Sequence, residues 1–141
     1  MASIAEQMLG AHPAAGSGAG LRALVECLDA CAECATACTM CADACLAEPG
    51  VAELTRCIRL DLDCADLCAT TAAVLSRRSG NEDGHGAGGA LRALLEACRL
   101  ACQACADECE SHAGHHEHCR LCAEACRRCA AACEALLTSL D

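Results

Sequence analysis

In the stretch CAECATACTMCADAC, Cys31 to Cys45, small apolar residues return every three or four positions and polar ones fill the gaps. Cys27 extends the series backwards by four, and Leu24 by three more. Residues three and four apart share one face of an α-helix. Cys27, Cys31, Cys34, Cys38, Cys41 and Cys45 therefore form one stripe, whereas a strand would send alternate members to opposite faces. They hold the a and d positions of a heptad, where a bundle ordinarily keeps Leu and Ile.

The same period returns three more times. Breaks at Glu48-Pro49-Gly50, at SGNEDGHGAGG (79–89) and at Ala113-Gly114 divide the chain into helices at about 21–47, 51–78, 90–112 and 115–139. The second helix carries Leu54, Cys57, Asp61, Cys64, Cys68, Thr71 and Leu75 on one face. The third carries Leu91, Leu95, Cys98, Cys102, Cys105, Cys109 and His112. The fourth carries His116, Cys119, Cys122, Cys126, Cys129, Cys133, Leu136 and Leu140. Asp61 stands where a cysteine would complete the spacing. Two readings are open: a small helix rotation lets the carboxylate reach water, or it faces the core in a functional role.

Residues 1–20 read as an N-terminal segment, with one or two amphipathic turns through Ile4, Met8 and Leu9 and then a flexible lead-in rich in Gly, Ala and Pro. His12 and His85 lie in loops, and His115 and His118 fall off the seam, so all four are expected in solvent. LRALVECLDACAECATAC from Leu21 and LRALLEACRLACQACADEC from Leu91 align with one inserted residue. One helical hairpin duplicated would give this, although a heptad bias alone produces part of the match.

Short turns after the first and third helices, with a longer link after the second, favour an all-α, up-down-up-down antiparallel four-helix bundle over residues 21–141. That topology gathers Leu24, Leu75, Leu91, Leu95, Leu136 and Leu140 at one end as an apolar plug. Cysteines line the middle. Cys45, Cys57, Cys109, Cys119, His112 and His116 collect at the other end.

Composition sharpens the chemistry. The 141 residues contain no Phe, Tyr or Trp, 18 Cys and a net charge of -10. The charge argues against nucleic acid and acidic membranes as partners and favours cations. A secreted disulfide scaffold is loop-rich, whereas these cysteines lie in unbroken helical runs. No leader-like basic and apolar pattern opens the sequence and no stretch approaches a membrane span, so a cytoplasmic location with reduced thiols is expected. CxxxCxxC arises automatically from a cysteine heptad and carries little information. The CxxC pairs lack a thioredoxin context, and nothing resembles a nucleophile–base pair, so no enzyme activity is expected. Cysteine can pack as a small hydrophobe, but Ala and Leu would do that better on four seams.

Soft thiolates select Cu(I), Zn(II) or iron–sulfur clusters. A tetrahedral zinc on four thiolates leaves two negative charges per site, which is costly in a dry core. Cu(I) takes two or three bridging thiolates, so about one ion per cysteine leaves the array near neutral. His112 and His116 continue the seam beyond Cys109 and are expected to face the axis, receive an arriving ion and pass it inward. If Asp61 faces the same space, its charge would hold the cation more weakly than sulfur does.

From Leu21 to Asp141 the CxxxC/CxxC seams and the His-bearing turn resemble the bacterial cytosolic copper storage proteins, Cys-rich four-helix bundles. The resemblance implies Cu(I) storage inside the bundle, loading through the open end, and a homotetramer; a copper chaperone would be a fitting donor. Where members use Met at the mouth, this chain offers His112 and His116, and Met40 lies off the seam. The alternatives are a metallothionein-like zinc or cadmium buffer and a structural or redox module without a metal role.

Overall fold

The computed structural model describes residues 1–79 and 88–140. Its helices are α1 (Ile4–Gly10), α2 (Gly18–Leu46), α3 (Thr55–Leu75), α4 (Gly88–His112) and α5 (Glu117–Ser139), with a single 3₁₀ turn at Val51–Glu53 ahead of α3. No strand occurs among the described residues. Most of the predicted link between the second and third long helices, including His85, lies outside them.

Consecutive long helices pack against each other and α5 returns to α2, closing a four-membered ring. The sulfur pairs show how they run. Between α2 and α5, Cys27 meets Cys133, Cys31 meets Cys129, Cys34 meets Cys126 and Cys41 meets Cys119, at Sγ–Sγ distances of 3.6–3.9 Å. Each step forward on α2 is matched by an equal step back on α5, so the two are antiparallel. The pairs Cys57–Cys109, Cys64–Cys102 and Cys68–Cys98 give the same order between α3 and α4, at 3.6–3.7 Å. Diagonal contacts also form, Cys38 to Cys105 at 3.9 Å and Cys68 to Cys129 at 3.8 Å. Side chains this short let opposite helices meet across the axis, so sulfur fills the centre continuously.

The plug predicted at one end is present. Leu24, Leu75, Leu91, Leu95 and Leu136 are buried and Leu140 is half-buried over them. Leu54, Asp61, Thr71 and Leu75 all face inward with the cysteines of α3, and Thr71 Oγ1 satisfies itself by donating to Leu67 O at 2.7 Å.

The helix limits differ from the sequence reading where turns compete. The second predicted helix does not run unbroken from 51 to 78: after Pro49 the chain makes the 3₁₀ turn and starts again at Thr55, with Leu54 driven into the core at 1% exposure. α1 spans the stretch read as amphipathic turns, and the lead-in after it is tied to Ser79. Ser3 caps α1 by accepting from Glu6 N at 3.1 Å, half of the S-x-x-E capping arrangement legible in the sequence. Ala5 and Leu9 are buried, with α1 packed on α2, and Gly16 N donates to Ser79 O at 2.9 Å. Gly18, at φ 74°, turns the extended chain at Ser17 into α2 in a left-handed geometry that an L side chain would strain.

Off the seam of α3, Ile58, Leu60 and Val74 pack against the core rather than stand free, leaving Leu62 at 47% exposure. Because neutral thiols are apolar enough to pack with Leu and Ala and the helices are rich in good formers, the reduced, metal-free chain should fold by itself. Far-UV circular dichroism checks this; a coil spectrum in reductant would contradict a preformed bundle.

Candidate metal centre

All eighteen cysteines are free and buried. Their placement follows from the heptad: α2 and α5 contribute long stripes, and α3 and α4 interleave theirs from the other side. The result is a chain of overlapping four-thiol groups. Cys31, Cys98, Cys129 and Cys133 lie together below the plug; Cys34, Cys64, Cys68 and Cys102 come next; Cys34, Cys38, Cys64 and Cys126 link these to Cys38, Cys105, Cys122 and Cys126; Cys41, Cys45, Cys57 and Cys119 lie at the histidine end. Within each group the sulfurs lie within 4.8 Å of one another. Cys27, paired with Cys133, and Cys109, paired with Cys57, belong to the same continuous array.

Asp61 does not reach water. It is fully buried, which excludes the rotated-helix reading, and its carboxylate accepts from four thiols. Cys105, Cys109 and Cys122 donate to Oδ1 at 3.1, 3.4 and 3.4 Å, and Cys57 donates to Oδ2 at 3.9 Å. Burial, and then the neighbouring Cys122, push its pKa up to about 7. Burial also raises the Cys45 thiol, with help from Asp61, and pushes Cys119 up to about 12, with help from Cys45. These thiols keep their protons at neutral pH until something replaces them.

The histidine end is built differently from the expectation. α4 stops at His112, and the turn through Ala113–His115 releases the chain, so His116 does not continue the α4 seam; it is the extended N-cap of α5. His112 Nε2 contacts Glu108 Oε2 at 2.8 Å, and Glu108 Oε1 accepts from Arg56 Nε at 3.1 Å. His116 Nδ1 lies 2.9 Å from Glu48 Oε2. Among the described residues the polar partners of both rings are carboxylates.

His118, expected in solvent, is the histidine that meets the thiols. Its Nδ1 lies 3.4 Å from Cys41 Sγ and 3.6 Å from Cys119 Sγ, while those two sulfurs are 3.9 Å apart. Its Nε2 lies 2.8 Å from the same Glu48 Oε2 that holds His116, and the two rings stack with centroids 5.4 Å apart. In the tautomer whose Nε2–H donates to Glu48, the Nδ1 lone pair faces the sulfurs. The nitrogen and two sulfurs form a near-equilateral triangle able to take a soft ion in three-coordinate geometry. Glu48 is held below the usual carboxylate range, first by His118 and then by His116. Position 118 is the g position of the α5 heptad. A g residue flanks the seam and leans on the neighbouring helix, which is the signal that a strict a/d reading passes over. His115 is exposed, as expected.

The family model described as copper storage protein matches residues 21–138. The Streptomyces lividans copper storage protein Ccsp, loaded with 10 copper equivalents, is 54% identical, with 95% of this chain and 98% of that chain covered and a TM-score of 0.86. A structure of copper loading to a cytosolic copper storage protein from Streptomyces lividans, with five coppers, is 56% identical over 86% of this chain and 98% of that one, TM-score 0.80. The Cu(I)-bound copper storage protein BsCsp3 is 35% identical over 78% and 93%, TM-score 0.66. None of the curated proteins matches the chain.

Proposed function

The chain belongs to the copper storage protein family, and on that premise we propose that it stores copper as Cu(I), about one ion per cysteine, on the thiolates of the bundle core. The observation that carries this is the unbroken series of four-thiol groups, each within 4.8 Å. Two neighbouring sulfurs can close on one ion, and bridging to the next helix links the sites into clusters. Every Cu(I) that replaces a thiol proton leaves the local charge unchanged. The dry core can therefore fill without accumulating charge.

Loading is proposed at the end where α2, α3, α4 and α5 bring Cys41, Cys45, Cys57, Cys109 and Cys119 together. His118 Nδ1 is the first ligand there, with Glu48 orienting the ring through Nε2 as second-sphere carboxylates do for metal-bound imidazoles. His112 and His116 act outside it, holding Glu108 and Glu48 and giving the arriving ion soft waypoints. Asp61, one layer further in, faces Cys57 and Cys109 of this group with a carboxylate that attracts the cation and takes up a proton as it passes. A relative is described as cytosolic, and we place this chain in the cytoplasm. A homotetramer is proposed as the working assembly, with Leu62 and Leu100 among the exposed apolar residues available to neighbours. No helix among the described residues is long and apolar enough to cross a membrane.

A Cu(I) titration against a competing chelator tests the storage reading, because uptake that tracks the thiol count supports it and saturation at a few isolated sites overturns it. The order of the histidines gives a second check. His118→Ala should slow Cu(I) loading more than His112→Ala and His116→Ala combined, since of these three rings His118 is the one within 3.6 Å of sulfur; stopped-flow rates in the reverse order would put the first ligand elsewhere.

A further inference from the structure

The closed arrangement of the histidine end raises a question of access. Cys45, Cys57, Cys109 and Cys119, the thiols nearest the axial opening, have no exposed surface. Glu48 pairs with His116 and His118, and Glu108 with His112 and Arg56, at the same end. Two cysteines alone keep any solvent contact, Cys41 at 2% and Cys122 at 1%; every other cysteine is at 0%. Both line one groove of about 510 Å³ on the α2–α5 face, together with Met40, His118, Leu121 and Ala37.

The groove has a sequence cause. Ala37 and Ala44 occupy the g positions of the α2 heptad, where a larger residue would lean over the α2–α5 seam. Small side chains there leave the wall thin above Cys41 and Cys122. Met40, at the groove's edge, is 67% exposed. Its thioether is soft, neutral and unbranched, so it can hold Cu(I) briefly without losing a proton.

Resting on the storage reading above, we propose that this groove is a second Cu(I) loading site, in which Met40 receives the ion and Cys41 and Cys122 take it through the side of the bundle. Cys122 lies 3.7 Å from Cys38 Sγ and belongs to the group with Cys105 and Cys126. An ion that Cys122 accepts joins the inner array without passing through Cys45, Cys57 or Cys119 of the terminal group. The donor is a low-molecular-weight thiolate complex of Cu(I). In the transfer the donor's Cu–S bond breaks and a Cu–Sγ bond to Cys122 forms. The proton leaving the Cys122 thiol goes to the departing donor thiolate, and copper stays cuprous throughout.

Two measurements test this on the intact chain. First, brief treatment of the reduced, metal-free protein with N-ethylmaleimide, mapped by peptide mass spectrometry, should label Cys41 and Cys122 ahead of all others; first labelling at Cys45, Cys57 or Cys109 would overturn the side route. Second, loading from Cu(I)–glutathione is followed by stopped flow in a His112→Ala/His116→Ala background. There Met40→Ala should slow uptake about threefold through loss of the thioether. Ala37→Trp should slow it about tenfold by filling the groove. Rates unchanged by both substitutions would overturn the proposal. Total uptake by the wild-type chain reads the storage function separately, so normal capacity with unchanged groove-variant rates counts against the groove alone.

Discussion

Titrated with Cu(I) under reducing conditions, the metal-free protein should take up about eighteen ions per chain, one for each free cysteine. Charge sets this number. Eighteen thiolates buried without compensation would be prohibitive, and the buried thiols Cys45 and Cys119 accordingly hold their protons. A monovalent ion that replaces each proton keeps the core neutral at every stage of filling. A divalent ion cannot: tetrahedral sites of four thiolates would saturate at about four ions and leave each site doubly negative. The overlapping groups make the same point geometrically. Cys34 and Cys38 each belong to two four-thiol groups, so bridging uses them fully and isolated tetrahedra cannot. Competition with a Cu(I) chelator gives the plateau, and a plateau at four or five ions would replace storage by discrete sites.

Replacing Asp61 by Asn removes a pH dependence from the stability of the metal-free chain. The folded carboxyl has its pKa raised from 3.8 to about 7 by burial. Well below pH 4 it is protonated both folded and unfolded, and costs nothing. As pH rises the unfolded chain releases the proton while the folded chain retains it, so folding loses stability; above about 7 the loss is complete. A shift of this size corresponds to roughly 4 kcal/mol. Asn keeps the shape and has no charge to desolvate, so the variant should gain on wild type between about pH 4 and 7 and hold a constant advantage above that window. Urea unfolding of both proteins across this range, in reductant, gives the difference directly and cancels the titration of every other group. Parallel curves would mean that Asp61 is solvated well enough to ionise freely. The same chemistry bears on loading: four thiols donate to this carboxylate, and each Cu(I) that displaces one of those protons removes a donor, so Asp61 is a natural place for a released proton to rest.

The helical period, the cysteine stripe on each long helix and the leucine plug were all legible in the chain, because side-chain direction on a helix follows from spacing alone. So was the kind of metal, since thiolate softness and core neutrality are properties of residue type and count. The cap of α1 by Ser3, three positions before Glu6, was written in the chain as well, within the stretch read as amphipathic turns. What tertiary structure decided lies where two helices meet or a turn intervenes. Asp61 looked as able to face water as the core; neighbours on α4 and α5 close around it and hold it inside. His116 lost its place on the α4 seam because three residues of turn break the helical phase. His118 gained contact with Cys41 because α2 packs beside α5 in antiparallel register, a partner seventy-seven positions away in sequence. The groove over Cys122 likewise exists only because small residues on α2 are set against it. Periodicity fixes which face of a helix is buried, but the identity of the residue across the interface depends on register and turn geometry, and these are settled by packing of the whole bundle.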